Sequence, residues 1–162
     1  MSTMNIFEAI RSGSLSNVES LIEQDPNCVH NSDPRGFTPL VLSTYLGFVE
    51  IAQFIINAGA DVNRQDKVGN TALMGVCFKG NIDMIKMLLD SGASVNTTNQ
   101  NNSNALIFAV SFGQEAAAKL LIEHKADGTQ VDQSGRTAMD YAKEKKLEQI
   151  EGLLEAMSSS RS

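Results

Sequence analysis

The sequence predicts an all-α protein, a solenoid of stacked helix-turn-helix units with β-hairpin-like turns. Three observations predict this fold class. A motif that begins as Asp33-Pro-Arg-Gly36 recurs every 33 residues, starting again at Asp66, Asn99 and Asp132. A glycine recurs in step with the motif at positions 47, 80 and 113. Finally, helix pairs of this length cannot bury their apolar faces alone, so the units must stack.

Each unit is predicted to begin with a turn tip. Aspartate and glycine three residues apart suit the first and last positions of a type I turn. Three units carry that pair, at Asp33/Gly36, Asp66/Gly69 and Asp132/Gly135. In the remaining unit asparagine stands at both positions, 99 and 102. Because asparagine adopts left-handed backbone less readily than glycine, we expect either a slightly loosened turn or an adaptable hydrogen-bonding fingertip there.

Two helices follow each tip. Thr38, Thr71 and Thr137 fit helix N-caps, because a threonine hydroxyl can accept a hydrogen bond from a free N–H of the first helical turn. The glycines at 47, 80 and 113 then end a short first helix in a left-handed conformation. The second helix of the first full unit is predicted over roughly Val49–Asn57, and the glycines at 59 and 92 end the second helices of their units.

These features resemble the ankyrin repeat family over nearly the whole chain, as in a small stand-alone ankyrin repeat protein. The best single match is Thr38-Pro39-Leu40. The family usually carries histidine after that leucine, and here Val41, Met74, Ile107 and Asp140 stand instead. The expected organisation is one domain over 1–157. It consists of an N-terminal capping repeat (1–32), internal repeats (33–65, 66–98, 99–131), a C-terminal capping repeat (132–157) and a flexible tail (158–162).

The two predicted capping repeats are polar on opposite flanks of their second helices. Asn17 and Ser20 replace apolar residues in the first unit, and Glu151 and Glu155 replace those of the other flank in the last unit. In a finite solenoid each terminal unit has one face exposed to solvent. We therefore expect five units with a cap at each end, rather than a truncated array.

Composition excludes several classes of partner. The net charge of −6 and the pI of about 4.8 disfavour nucleic acid and anionic membrane surfaces, and favour a partner with a basic contact surface. No signal peptide or membrane-spanning stretch is visible. Cys28 and Cys77 lie in different units, which fits free thiols in a reducing compartment, so we expect a cytoplasmic protein.

Residues suited to catalysis or metal binding are sparse. His30 and His124 lie in separate units with no ligand spacing around them, and Asp61 and Asp66 are explained by turn chemistry. The glycines end helices and do not form a phosphate loop. We therefore predict no enzyme, no metal and no cofactor.

The family resemblance implies that partners are gripped by the turn tips and by the exposed side of the first helices. Carried over unit by unit, the tip residues are Arg35, Phe37, Lys67, Val68, Asn70, Gln100, Asn101 and Ser103, and the helix residues are Tyr45, Leu46, Phe78, Lys79, Ser111 and Phe112. Four of these, Phe37, Tyr45, Phe78 and Phe112, form a predicted aromatic strip on the concave face. If these rings are exposed, they favour binding of a partner. The alternative interpretation is that they pack between repeats as part of the core.

The sequence thus predicts a non-enzymatic protein–protein interaction module that binds an unidentified partner protein through its concave face and turn tips. We expect a monomer. The first alternative is a homo-oligomeric scaffold, such as a homodimer, that uses the same aromatic strip. The second is a small-molecule binder or enzyme, for which a shallow solenoid groove is poorly suited.

Overall fold

The computed structural model describes residues 3–160, which contain α-helices, one 3₁₀ helix and no strand. The all-α solenoid prediction is confirmed. Each unit holds two antiparallel helices, and the first helices of consecutive units pack against one another. The α-helices are α1 (Ile6–Arg11), α2 (Leu15–Gln24), α3 (Pro39–Leu46), α4 (Val49–Asn57), α5 (Ala72–Lys79), α6 (Ile82–Asp90), α7 (Ala105–Ser111), α8 (Glu115–Glu123), α9 (Ala138–Glu144) and α10 (Glu148–Ser160), with the 3₁₀ helix over Pro26–His30.

The predicted capping threonines begin their helices. Each hydroxyl of Thr38, Thr71 and Thr137 accepts a hydrogen bond from the backbone N–H three residues further on, at 3.2–3.3 Å. Asn104 does the same for α7 at 3.0 Å. The first helices therefore start at equivalent positions in every full unit, because a side-chain oxygen satisfies one otherwise free N–H group.

Left-handed backbone ends the first helices, as predicted for glycines 47, 80 and 113, whose φ angles are 82°, 74° and 71°. In the last unit Lys146 takes the same position with a φ of 58°. A left-handed conformation turns the chain back so that the second helix runs antiparallel to the first.

Apolar residues at equivalent positions form the core between the two helix layers. Leu40, Leu73 and Leu106 come from the first helices and are at most 1% exposed. Ile55 and Leu88 come from the second helices and are fully buried. These residues belong to one apolar cluster with buried residues of all five units, so the core is continuous along the stack.

The C-terminal boundary differs from the prediction. Helix α10 continues to Ser160, three residues beyond the predicted end of the capping repeat at residue 157, and the division of the chain into repeats and tail stays a prediction. The hydroxyl of Ser160 donates to the carbonyl of Met157 at 2.9 Å, which supports the last turn where the apolar residues end. Residues 161 and 162 of the predicted flexible tail lie outside the described residues.

Candidate binding face

The turn tips of the second to fifth units are joined in a row by backbone hydrogen bonds. The N–H of Lys67 donates to the carbonyl of Arg35 at 3.4 Å, and the N–H of Gln100 donates to that of Val68 at 3.0 Å. The N–H at position 133 donates to the carbonyl of Asn101 at 2.8 Å. Each tip therefore fixes the position of the next one.

Each tip is also closed internally by its first residue. The Oδ1 atom of this side chain accepts hydrogen bonds from the N–H groups two and four residues later, at 2.9–3.0 Å in all four tips. The first residues are Asp33, Asp66, Asn99 and Asp132. Since asparagine also has an Oδ1 acceptor, the third tip closes in the same way as the others.

The asparagine tip is not loosened, so that expectation is wrong. Asn102 adopts the left-handed conformation of the glycines that it replaces, with a φ of 57°. The Nδ2 group of Asn99 also donates to Oδ1 of Asn70 in the preceding tip, at 2.8 Å. An aspartate has no hydrogen to donate there, so the substitution adds a link between tips. That this tip also contacts a partner stays a prediction.

Hydrogen bonds hold two of the tip aspartates in their charged form. Although partial desolvation opposes the effect, the N–H of Phe37 and the side chain of Arg35 lower the pKa of Asp33. At Asp132 desolvation is again outweighed, here by the hydroxyl of Tyr141 and by the turn N–H groups, so the pKa is lowered. The charge on these carboxylates therefore stabilises the tips.

The aromatic strip is brought together in part. Phe78 and Phe112 form an edge-to-face pair with ring centroids 4.5 Å apart and an interplanar angle of 83°. Tyr45 lies beside them, with Nζ of Lys79 positioned 4.0 Å from its ring centroid. Phe37 is half-buried beneath the guanidinium of Arg35, at 4.3 Å. The side chains at positions 45, 78 and 112 keep 43%, 40% and 51% of their surface exposed.

The other predicted contact residues divide into exposed and half-buried groups. Leu46 and Val68 are apolar and well exposed, and the exposed polar residues are Arg35, Lys67, Lys79, Gln100 and Asn101. Asn70, Ser103 and Ser111 are half-buried and already take part in hydrogen bonds within the fold. We call the surface formed by the tips and by the exposed sides of α3, α5 and α7 the inner face.

A cavity of about 160 Å³ opens among these aromatic residues on the inner face. Its lining includes Phe37, Tyr45, Phe78, Phe108 and Gly75. The equivalent residues in the second, fourth and fifth units are leucine at 42, phenylalanine at 108 and tyrosine at 141, all large. The cavity exists because the third unit has glycine at this position. Sequence reasoning did not identify Gly75 or Phe108 as site residues, although aligning the four units would have revealed the contrast.

Charge is distributed unevenly between the two faces. Helices α3, α5 and α7 carry a single charged residue, Lys79. The second helices α2, α4, α6, α8 and α10 carry ten acidic residues and two lysines. The acidic residues are Glu19, Glu23, Glu50, Asp83, Asp90, Glu115, Glu123, Glu148, Glu151 and Glu155, and the lysines are Lys86 and Lys119. The negative charge of the chain therefore lies mainly away from the inner face.

Other chemistry is limited within residues 3–160. No group of three or more His, Cys, Asp or Glu side chains there could hold a metal ion. Cys28 and Cys77 are free and buried, and burial raises the pKa of both thiols. None of the helices in this range has the length and apolar character needed to cross a bilayer.

Comparison with known proteins identifies the repeats. A family model described as ankyrin repeats (3 copies) matches residues 6–99 and 76–160. The chain is 36% identical over 64 residues to ankyrin repeat and SAM domain-containing protein 6 of Rattus norvegicus, covering 40% of this chain and 7% of that protein. It is 38% identical over 50 residues to the serine/threonine-protein kinase VIK of Arabidopsis thaliana, covering 31% and 11%.

A third relative is the DNA-binding protein RFXANK of Homo sapiens, 30% identical over 61 residues. That match covers 38% of this chain and 24% of RFXANK. The chain thus aligns with less than a quarter of the length of each of these relatives.

Proposed function

The chain belongs to the ankyrin repeat family, and on that premise we propose that it is a non-enzymatic module that binds a partner protein through its inner face. Ankyrin repeats are generally protein–protein interaction modules. The kinase among its relatives is matched over only 11% of its length. The proposal therefore concerns recognition by the repeats and assigns no reaction to them.

The exposed aromatic strip is the observation that carries this proposal. Tyr45, Phe78 and Phe112 leave between 40% and 51% of their surface in water. A cluster of exposed rings is unfavourable in water, and burial by a partner would recover that free energy. The row of hydrogen-bonded tips beside the rings is already ordered, so little conformational entropy is lost when a partner docks.

Capture from a native lysate by the immobilised protein tests the proposal. We expect a reproducible partner that is lost when Tyr45 and Phe78 are both replaced by alanine. The matched control is Met4→Ala, because Met4 is 46% exposed but lies before α1, outside the tips and outside α3, α5 and α7. A partner retained by the double variant and lost by the control would contradict the assignment to the inner face.

Self-association through the same aromatic strip is the alternative. Light scattering at two concentrations distinguishes self-association from a monomeric module. The average molar mass rises with concentration if the chain forms a homodimer, and stays constant if it remains a monomer. A small-molecule ligand, the remaining alternative, would raise the melting temperature in a thermal-shift screen. A cytoplasmic location belongs to the same proposal and is supported by the free thiols of Cys28 and Cys77.

We propose that a basic surface of a partner contacts the second helices. Their ten acidic residues and two lysines favour a cationic surface there. Phe54 and Met87 lie in an open groove of about 970 Å³ between α4 and α6, which Glu50, Asp83 and Asp90 also line. Such binding would weaken steeply with added salt, whereas binding to the inner face would depend less on salt.

A further inference from the structure

We propose that the cavity above Gly75 is a socket for one aromatic side chain of a partner segment that carries acidic residues next to that side chain. The inference rests on the proposed use of the inner face for binding and specifies the ligand chemistry there. It concerns a feature of the third unit alone, because the other full units fill the equivalent position with a large side chain.

The socket is not required by the packing of the fold. Glycine destabilises the interior of a helix relative to alanine, and Gly75 lies in the middle of α5. A Cβ atom built on Gly75 would meet no atom within 4 Å apart from its chain neighbours and the adjacent backbone of its own helix, so no close contact demands glycine. Its backbone is also outside the left-handed region that favours glycine at the tips. The residue therefore costs the helix stability, and its structural effect is the open space.

The size and the lining of the socket fit one aromatic ring. Its volume of about 160 Å³ is close to the roughly 150 Å³ of an apolar cavity known to admit benzene. Phe37, Tyr45, Phe78 and Phe108 surround the space. Aromatic rings pack favourably edge to face, the geometry that Phe78 already adopts with Phe112. A ring from the partner would extend this arrangement.

Charges around the socket favour acidic neighbours. Lys79 at the end of α5 lies over Tyr45 and forms no salt bridge within residues 3–160, and neither does Lys67 at the adjoining tip. Asp66 is the acidic residue in the lining, and its Oδ1 atom already accepts two turn N–H groups. Arg35 is paired with the aspartate of its own tip. The ammonium groups of Lys67 and Lys79 are thus the charges available to a ligand.

Selection from a displayed library of random twelve-residue peptides tests the socket directly. With the wild-type chain immobilised, we expect selected peptides to share one aromatic residue flanked by Asp or Glu. Gly75→Leu fills the socket and should weaken a synthetic copy of such a peptide by about tenfold or more. Gly152→Leu is the matched control, since Gly152 also lies within a helix, α10, with nothing near its Cβ position, and it should leave the affinity unchanged.

The outcomes separate the socket from the broader proposal. Peptides that lose affinity on Tyr45→Ala but bind Gly75→Leu normally would overturn the socket and leave inner-face binding intact. The socket would also be overturned if the selected peptides share no aromatic residue. It would equally be overturned if the wild-type chain enriches peptides no better than immobilised Gly75→Leu does.

Indole gives a measurement that needs no peptide. At millimolar concentration it should shift the amide NMR signals of Gly75 and Phe108 in the wild-type chain, and not that of Phe108 in Gly75→Leu. Absence of the shifts in the wild-type chain contradicts the socket. If indole shifts these signals while the double replacement of Tyr45 and Phe78 by alanine leaves lysate capture unchanged, the proposed function fails and the cavity is still a binding site.

Discussion

Replacing Gly75 by alanine should stabilise the protein, and the size of the gain follows from the structure. The residue lies inside α5 with helical backbone, and an added methyl group meets no atom within 4 Å apart from its chain neighbours and the adjacent backbone of α5. Alanine is favoured over glycine in a helix interior by about 0.8–1.0 kcal/mol. We therefore expect the free energy of unfolding to rise by about 1 kcal/mol.

Gly152→Ala in α10 calibrates this expectation. Gly152 likewise has open space around its Cβ position, and its side-chain position faces solvent, so the change reports helix propensity alone. Urea unfolding followed by circular dichroism measures both variants against the wild-type chain, and about 1 kcal/mol corresponds to roughly 2–4 °C in melting temperature. If Gly75→Ala lowers stability while Gly152→Ala raises it, the space above Gly75 is not open and the reasoning about the socket is refuted.

The remaining predictions concern the tips, the aromatic strip and the thiols. Asp66→Ala should cost about 1–2 kcal/mol in urea unfolding because two turn N–H groups lose their acceptor, whereas Asp66→Asn should cost far less, and equal costs would contradict this. The lowered pKa of Asp132 means that its charge contributes stability above the unfolded value of about 3.8, and that this contribution is lost as pH falls through the lower folded pKa. Acid titration of unfolding should therefore show a smaller loss in Asp132→Asn. Tyr45→Ala and Phe78→Ala should keep the helical circular dichroism and cost less than the roughly 3–5 kcal/mol of a core phenylalanine deletion; a full core cost would place the rings inside the fold. Cys77 should react with a thiol reagent only after unfolding, because burial raises its pKa, and rapid labelling of the native chain would contradict its burial.

The sequence was sufficient for the repeat architecture because the defining interactions are local. A threonine cap, a turn aspartate and a left-handed glycine each act within four residues of themselves, so their spacing alone locates the helices. Helix α4 has the bounds expected from its apolar pattern, Val49–Asn57. Helix α10 runs three residues past the predicted boundary at residue 157, because backbone hydrogen bonds extend it to Ser160 through a serine-rich segment that has no apolar pattern.

The candidate site was less accessible from sequence because it depends on contacts between units. The link from Asn99 to Asn70 joins side chains 29 residues apart, and the expectation of a loosened turn considered only the backbone preference of asparagine. The socket was missed for a related reason. In the sequence, a glycine inside a helix indicates only a weak helix former. The cavity that it leaves becomes visible only in the structure, where Phe108 and Tyr45 from the neighbouring units line it.

The inner face can discriminate between partner side chains because it combines an ordered backbone with an open cavity. An open space on a mobile surface would collapse, but this one is bordered by tips that are hydrogen-bonded to one another and by helices whose opposite sides are fully buried. The backbone beside the cavity is fixed by the turn hydrogen bonds of Asp66 and by the burial of Leu73 on the other side of α5. A partner side chain therefore meets a cavity on an ordered backbone, and we expect discrimination between side chains to follow from fit. The same argument explains why a large residue at Gly75 should weaken recognition without unfolding the stack, because the position borders the core but does not fill it.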